Sequence, residues 1–363
     1  MLLFSRGNPP DLSQNVRTLL ITVVVLHASS FLGQQPAAQS LTFDLFERYL
    51  GALREQAGIP GLAAAIVQNG SVAWDEGFGF ADISQSIRVV PTTPFPLHEL
   101  TQTVAAALVL QQCIDSGRAD LDDQLQRWSP GFNDRNATFR QVLSHNGPTG
   151  YSFEDTTNRF AGLSGAIEEC AGRPYPVAMV QEVLDRFRME NSVPGGDVDV
   201  NGTPIRQMFG TPKLTTYRSI LQAKAVPYRV DNNRRATPSE YRVPFTNSLN
   251  GLVASVVDLA RFDVALDAGD VATRRMLENQ AWQRQLGSPM GLGWFVQTVN
   301  RRKVVWSFGK AAGAYSSLLI KLPEQRITLI LLANSDGLTA PFPLANGDIM
   351  VSPFARIFFA LLG

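Results

Sequence analysis

Histidine and cysteine are scarce in this chain of 363 residues, which holds only His27, His98 and His145 and the pair Cys113 and Cys170. No cluster of them has metal-ligand spacing, so neither a bound metal nor another cofactor is expected. Net charge is missing as well, because 32 Lys plus Arg balance 32 Asp plus Glu. With no basic stripe, nucleic acid and anionic membrane surfaces drop out as expected partners. The nearest thing to a charge run, Asn232-Asn233-Arg234-Arg235, reads as a solvated loop. No apolar run is long enough to span a bilayer comfortably. Both cysteines lie in apolar helical stretches, where a thiol acts as a small buried hydrophobe; a disulfide is the alternative.

The N-terminus carries an address. Arg6 and Arg17 precede the apolar run Leu19-Leu20-Ile21-Thr22-Val23-Val24-Val25-Leu26, and small and polar residues follow to Ser40. That order suits a signal peptide. Asp11 weakens the positive start, which keeps an uncleaved anchor open as the one route to a membrane. No Cys follows the run, which argues against a bacterial lipoprotein. Residues 1–40 are therefore expected to be a signal peptide or anchor, and residues 41–363 an extracytoplasmic folded domain.

Periodicity divides that domain. Apolar residues at helical spacing (Leu45, Phe46, Tyr49, Leu50, Leu53) predict a helix that Gly58 and Pro60 stop. Leu62–Val67 and Val72–Trp74 predict two strands, and Asn69-Gly70 between them is a strong hairpin signal. Toward the other end, runs at 291–296, 304–306, 317–320 and 327–332 predict further strands, and Phe354–Leu362 a closing helix. The class is α+β: one antiparallel sheet, taken as two strands from the start and three from the end, flanked by terminal helices. Its sheet part is expected at 41–96 and 286–363, with a mainly helical insertion at 97–285. No internal repeat is visible.

Several segments then read together. Phe95-Pro96-Leu97-His98-Glu99-Leu100-Thr101-Gln102-Thr103 opens a buried helix, and Val142-Leu143-Ser144-His145-Asn146-Gly147 follows. Next come Gly165–Tyr175 and Asn250-Gly251-Leu252-Val253-Ala254-Ser255-Val256-Val257-Asp258-Leu259-Ala260-Arg261-Phe262. In this order they resemble the serine β-lactamase and penicillin-binding-protein family, from about Leu41 to the C-terminus. The resemblance implies that family's five-stranded sheet with a helical insertion.

It also implies a chemistry that the residues do not carry. The family acylates the serine of Ser-x-x-Lys at a helix start. Spacing of three puts both side chains on one helix face, where the amine takes the hydroxyl proton. Backbone N–H groups at the helix start and on a strand hold the oxyanion. Here the two slots hold Glu99 and Gln102. A carboxylate forms no stable acyl intermediate of this kind, and an amide has no basic lone pair. Counting places the Tyr-x-Asn motif at Asp155-Thr156-Thr157 and the Lys-Thr-Gly motif at Phe308-Gly309-Lys310. The expected substrate-binding residues are thus Glu99, Gln102, Asp155, Thr157, Phe308 and Lys310, and no catalytic residue is expected.

Each has a plainer reading. Glu99 suits the positive end of a helix whatever its role, Asp155 and Thr157 are ordinary loop residues, and Lys310 can be simply solvated. His145 matches a framework position. Ser307-Phe308-Gly309-Lys310 has the literal Ser-x-x-Lys spacing but sits beside a predicted strand, where that spacing sends the two side chains to opposite faces. Three Asn-x-Ser/Thr triplets are chance-level signals. The reading that results is an exported pseudoenzyme that binds a small molecule or cell-envelope component in the former cleft. A family hydrolase with a rearranged site, and an interaction protein with a closed cleft, are the alternatives.

Overall fold

The computed structural model describes residues 37–269 and 280–363; the apolar run Leu19–Leu26 lies outside the described residues. Residues 46–363 form one compact unit, distinct from residues 1–45. Helix α1 is assigned to Ala37–Gln56, and in the second unit its Phe46 packs edge-on against Trp74 at 5.7 Å.

One antiparallel sheet organises the second unit. Its strands are β1 (Gly61–Gln68), β2 (Ser71–Asp82), β3 (Ile87–Arg88), β4 (Phe295–Val299), β5 (Arg302–Ala311), β6 (Tyr315–Leu322) and β7 (Ile327–Ala333). Their spatial order is β4-β5-β6-β7-β1-β2-β3, so the two ends of the chain meet at the β7–β1 pair, with Leu62 opposite Ala333. The fold class stands, but the sheet has seven strands where five are expected. The additions are the two-residue edge strand β3 and a fourth C-terminal strand, because residues 295–299 form a hairpin arm of their own. Two of the turns follow from local chemistry. Asn69 and Gly70 both take positive φ, and so do Asn300 and Arg301, which is the backbone a two-residue hairpin needs.

Strands β1, β6 and β7 are buried almost throughout, so apolar layers cover both faces of the sheet's centre. The helices between β3 and β4 include α2 (Thr101–Val109), α3 (Leu163–Ala171), α4 (Thr211–Ala223) and α5 (Val256–Ala268), and α6 (Pro353–Leu361) closes the chain. Although α5 falls inside the expected insertion, it packs directly on β1, β2 and β7. Beneath it, the ammonium of Lys321 lies 2.9 Å from Asp263 and 2.7 Å from Asp267. Helix α2 continues to Asp115 and packs on α3. There Cys113 and Cys170 are buried, as a pair of small hydrophobes would be, but they form a disulfide with each other. The disulfide, the second of the two readings, replaces that of two free thiols.

Candidate ligand-binding cleft

The segment ahead of α2 is held by neighbours on both sides. Phe95–Pro96 pairs with Val253–Ala254, and the Leu97 carbonyl accepts from Ser317 Oγ at 2.9 Å. The chain then tightens into a short turn, His98–Leu100, with His98 at φ 51°. This turn lies against β5 at Gly309, where a Cβ would stand 2.1 Å from the Leu97 oxygen and 3.0 Å from the Leu100 nitrogen. Glycine at that position lets the turn approach, and the turn delivers Glu99.

Strand β4 pairs with β5 only through Trp306, so beyond it the outer N–H groups of β5 face away from the sheet. Glu99 takes one of them: the Lys310 N–H donates to Glu99 Oε2 at 2.8 Å. The same oxygen lies 2.6 Å from His98 Nδ1, a close polar contact without hydrogen-bond alignment. The Glu99 side chain keeps 14% of its exposure and lines a cleft of about 440 Å³. Thr157, Phe308 and Lys310 line it too.

Gln102 does not reach the cleft surface, being buried behind it. Its Nε2 donates to Thr157 Oγ1 at 2.8 Å, and its Oε1 accepts from His145 Nε2 at 2.9 Å. Since the amide oxygen can only accept, the ring nitrogen must donate. His145 Nδ1 faces the Thr156 hydroxyl at 3.2 Å. The ring stacks between Phe153 at 4.6 Å and Phe160 at 5.4 Å. Burial, helped by the nearby Arg159 charge, pushes His145 down from 6.5 to about 3, against a backbone hydrogen bond at Phe153 that favours the charged form. The imidazole is therefore neutral near neutral pH. Behind Glu99, the Tyr241 phenol is pushed up, by burial first and then by the Glu99 charge.

Asp155 is exposed and outside the cleft. Its carboxylate accepts from Ser152 Oγ at 2.8 Å, and its own N–H donates to that hydroxyl, which caps the short helix Phe153–Thr156. The neighbouring Glu154 lines the cleft instead, together with Phe153 and the segment Thr339–Ala345. Tyr151 ties that segment across, its phenol donating to the Ala345 carbonyl. Sequence reasoning missed Glu154, Phe153, the 339–345 segment and the His145–Gln102 bond. Pro341 and Pro343 mark a loop, but nothing local assigns it to the cleft. Among the described residues, no group of His, Cys, Asp and Glu could hold a metal ion.

The comparisons agree with this architecture. A sequence model of the family described as Beta-lactamase matches residues 46–351. A penicillin-binding protein of Bacillus subtilis (strain 168) is 24% identical over 305 residues, covering 74% of this chain and 67% of its own length. The protein flp of Staphylococcus aureus (strain MW2) is 22% identical over 328 residues, covering 79% of this chain and 62% of its own. The chain thus spans about two thirds of the length of these relatives. Among solved structures, an octameric penicillin-binding protein homologue from Pyrococcus abyssi superposes with a TM-score of 0.65. That match has 16% identity and covers 88% of this chain and 77% of the other, so it speaks for the fold alone. With the family match running over most of its length, this chain belongs to the Beta-lactamase family.

Proposed function

We propose that this protein is an exported, non-acylating member of its family that binds a small molecule or cell-envelope component in the cleft beside Glu99. One observation carries the reading. The Lys310 N–H, a strand donor of the kind that steadies an oxyanion, is occupied by the protein's own Glu99 carboxylate at 2.8 Å. A carbonyl substrate would have to displace that bond and would find a carboxylate, not a serine hydroxyl, at position 99. The base slot offers no substitute, because both ends of the Gln102 amide are already bonded to His145 and Thr157. The cleft itself remains open, which favours binding over a purely structural role.

The test is intact-mass analysis of the full chain after incubation with penicillins and fluorophosphonates. No adduct is expected; a mass shift mapping to residues 95–103 would overturn the reading. Export is supported by the apolar run Leu19–Leu26 and by the Cys113–Cys170 disulfide, a bond that persists in oxidising compartments. Among the described residues no helix is long and apolar enough to cross a membrane. Reporter fusions after Ser40 should be translocated, and retention of the reporter in the cytoplasm would sink the export reading.

The close Glu99–His98 contact favours a second reading, a hydrolase in which His98 activates water. Ester turnover abolished by His98→Gln would establish it over the first.

A further inference from the structure

The charge and shape of the cleft point beyond binding in general to a class of ligand; this step rests on the ligand-binding reading above. Three charged side chains line the cleft, Glu99, Glu154 and Lys310, so the two carboxylates outnumber the one ammonium. Among the described residues, neither the Glu154 carboxylate nor the Lys310 ammonium has an ion-pair partner. Apart from Thr157 and Thr339, the rest of the wall is apolar. Phe308 is buried and stacked on Phe153 at 5.2 Å, and Pro341, Phe342 and Pro343 of the 339–345 segment line the same cleft.

An anionic ligand would find little to hold it. The strand N–H that could receive a carboxylate, that of Lys310, already donates to Glu99. The amide N–H of Gln102, the other donor in the old catalytic slots, is spent on Thr157. A single ammonium on Lys310 would have to overcome repulsion from two carboxylates. A cation meets the reverse situation: two carboxylates and aromatic surface, the combination that recognises organic ammonium groups.

We propose that the cleft binds an organic monocation, a primary amine on an aromatic or aliphatic body, with its ammonium toward Glu99 and Glu154 and its body against Phe308 and Phe342. A volume of about 440 Å³ accommodates a ligand larger than a simple arylalkylamine, in the usual range for small-molecule sites.

The experiment is calorimetric titration of the full chain with three matched probes: 2-phenylethylamine, 2-phenylethanol and 3-phenylpropionate. The amine should bind tightest. Glu154→Gln, an exposed substitution that leaves the core untouched, should weaken the amine by about threefold to fivefold, as expected for a solvent-accessible charge pair. The alcohol should be unaffected by that change. Lys310→Gln should tighten the amine by a similar factor. Tighter binding of 3-phenylpropionate, or an amine affinity indifferent to Glu154→Gln, overturns the cation proposal while leaving the binding reading intact. Failure of all three probes to bind overturns both. A covalent adduct in the acylation test would overturn the non-acylating reading, yet would not move the ranking of the probes.

Discussion

Acid should destabilise this protein strongly at His145. The folded state holds the imidazole neutral down to about pH 3, because protonating it would bury a cation between Phe153 and Phe160 and near Arg159. The unfolded chain takes up that proton near the ordinary histidine value of 6.5. Between those two values the unfolded state binds more protons than the folded one. Stability therefore falls as pH falls through that window and is flat above it. For a single such site the loss from pH 7 to pH 5 is about 2 kcal/mol, growing to about 4 kcal/mol by pH 3. That is comparable to the whole stability of many domains. The assay is urea unfolding of the full chain at half-unit steps from pH 7 to pH 5, for wild type and for His145→Gln. The variant loses stacking and is weaker throughout, so the comparison is between slopes, in which the other titrating groups cancel. Wild type should lose about 2 kcal/mol more than the variant over that range. Parallel curves would refute the assignment.

The buried triad beneath α5 yields a second test. Lys321→Met leaves Asp263 and Asp267 without their cation, and a loss of about 3–5 kcal/mol is expected on removing one partner of a buried pair. Burial already pushes the Asp263 carboxyl upward, so in this variant the folded state holds the extra proton and stability should recover as pH falls. Differential scanning calorimetry at two pH values reads both effects. The disulfide gives a third test: reduction, or Cys113→Ser with Cys170→Ser, should lower stability by about 2–5 kcal/mol. Unfolding that is unchanged by reductant would show that the bond is absent in solution.

Much of the fold is legible in the sequence because its signals are local. Asn69-Gly70 marks a hairpin since both residues accept positive φ, and the strands at either end are apolar runs of the right length bounded by turns. The ordered segments from Phe95 to Phe262 set Glu99 and Gln102 in the slots where the resembled family would carry its serine and lysine, before any coordinates exist. What those replacements do is a different matter. That Glu99 reaches across to the Lys310 N–H depends on Gly309 letting a strand of the far C-terminal region touch the turn before α2. No spacing rule encodes a contact spanning 211 residues. The same holds for Cys113 and Cys170, which are 57 residues apart and meet only because α2 packs on α3. Counting along the sequence chose Asp155 for the cleft, whereas the fold chose Glu154. Successive residues of a helix point about 100° apart, so a one-residue difference moves a carboxylate from wall to solvent. Local chemistry thus determined the elements and set Glu99 and Gln102 at the start of a helix, while the packing of distant segments decided which side chains share the cleft and which charge it carries.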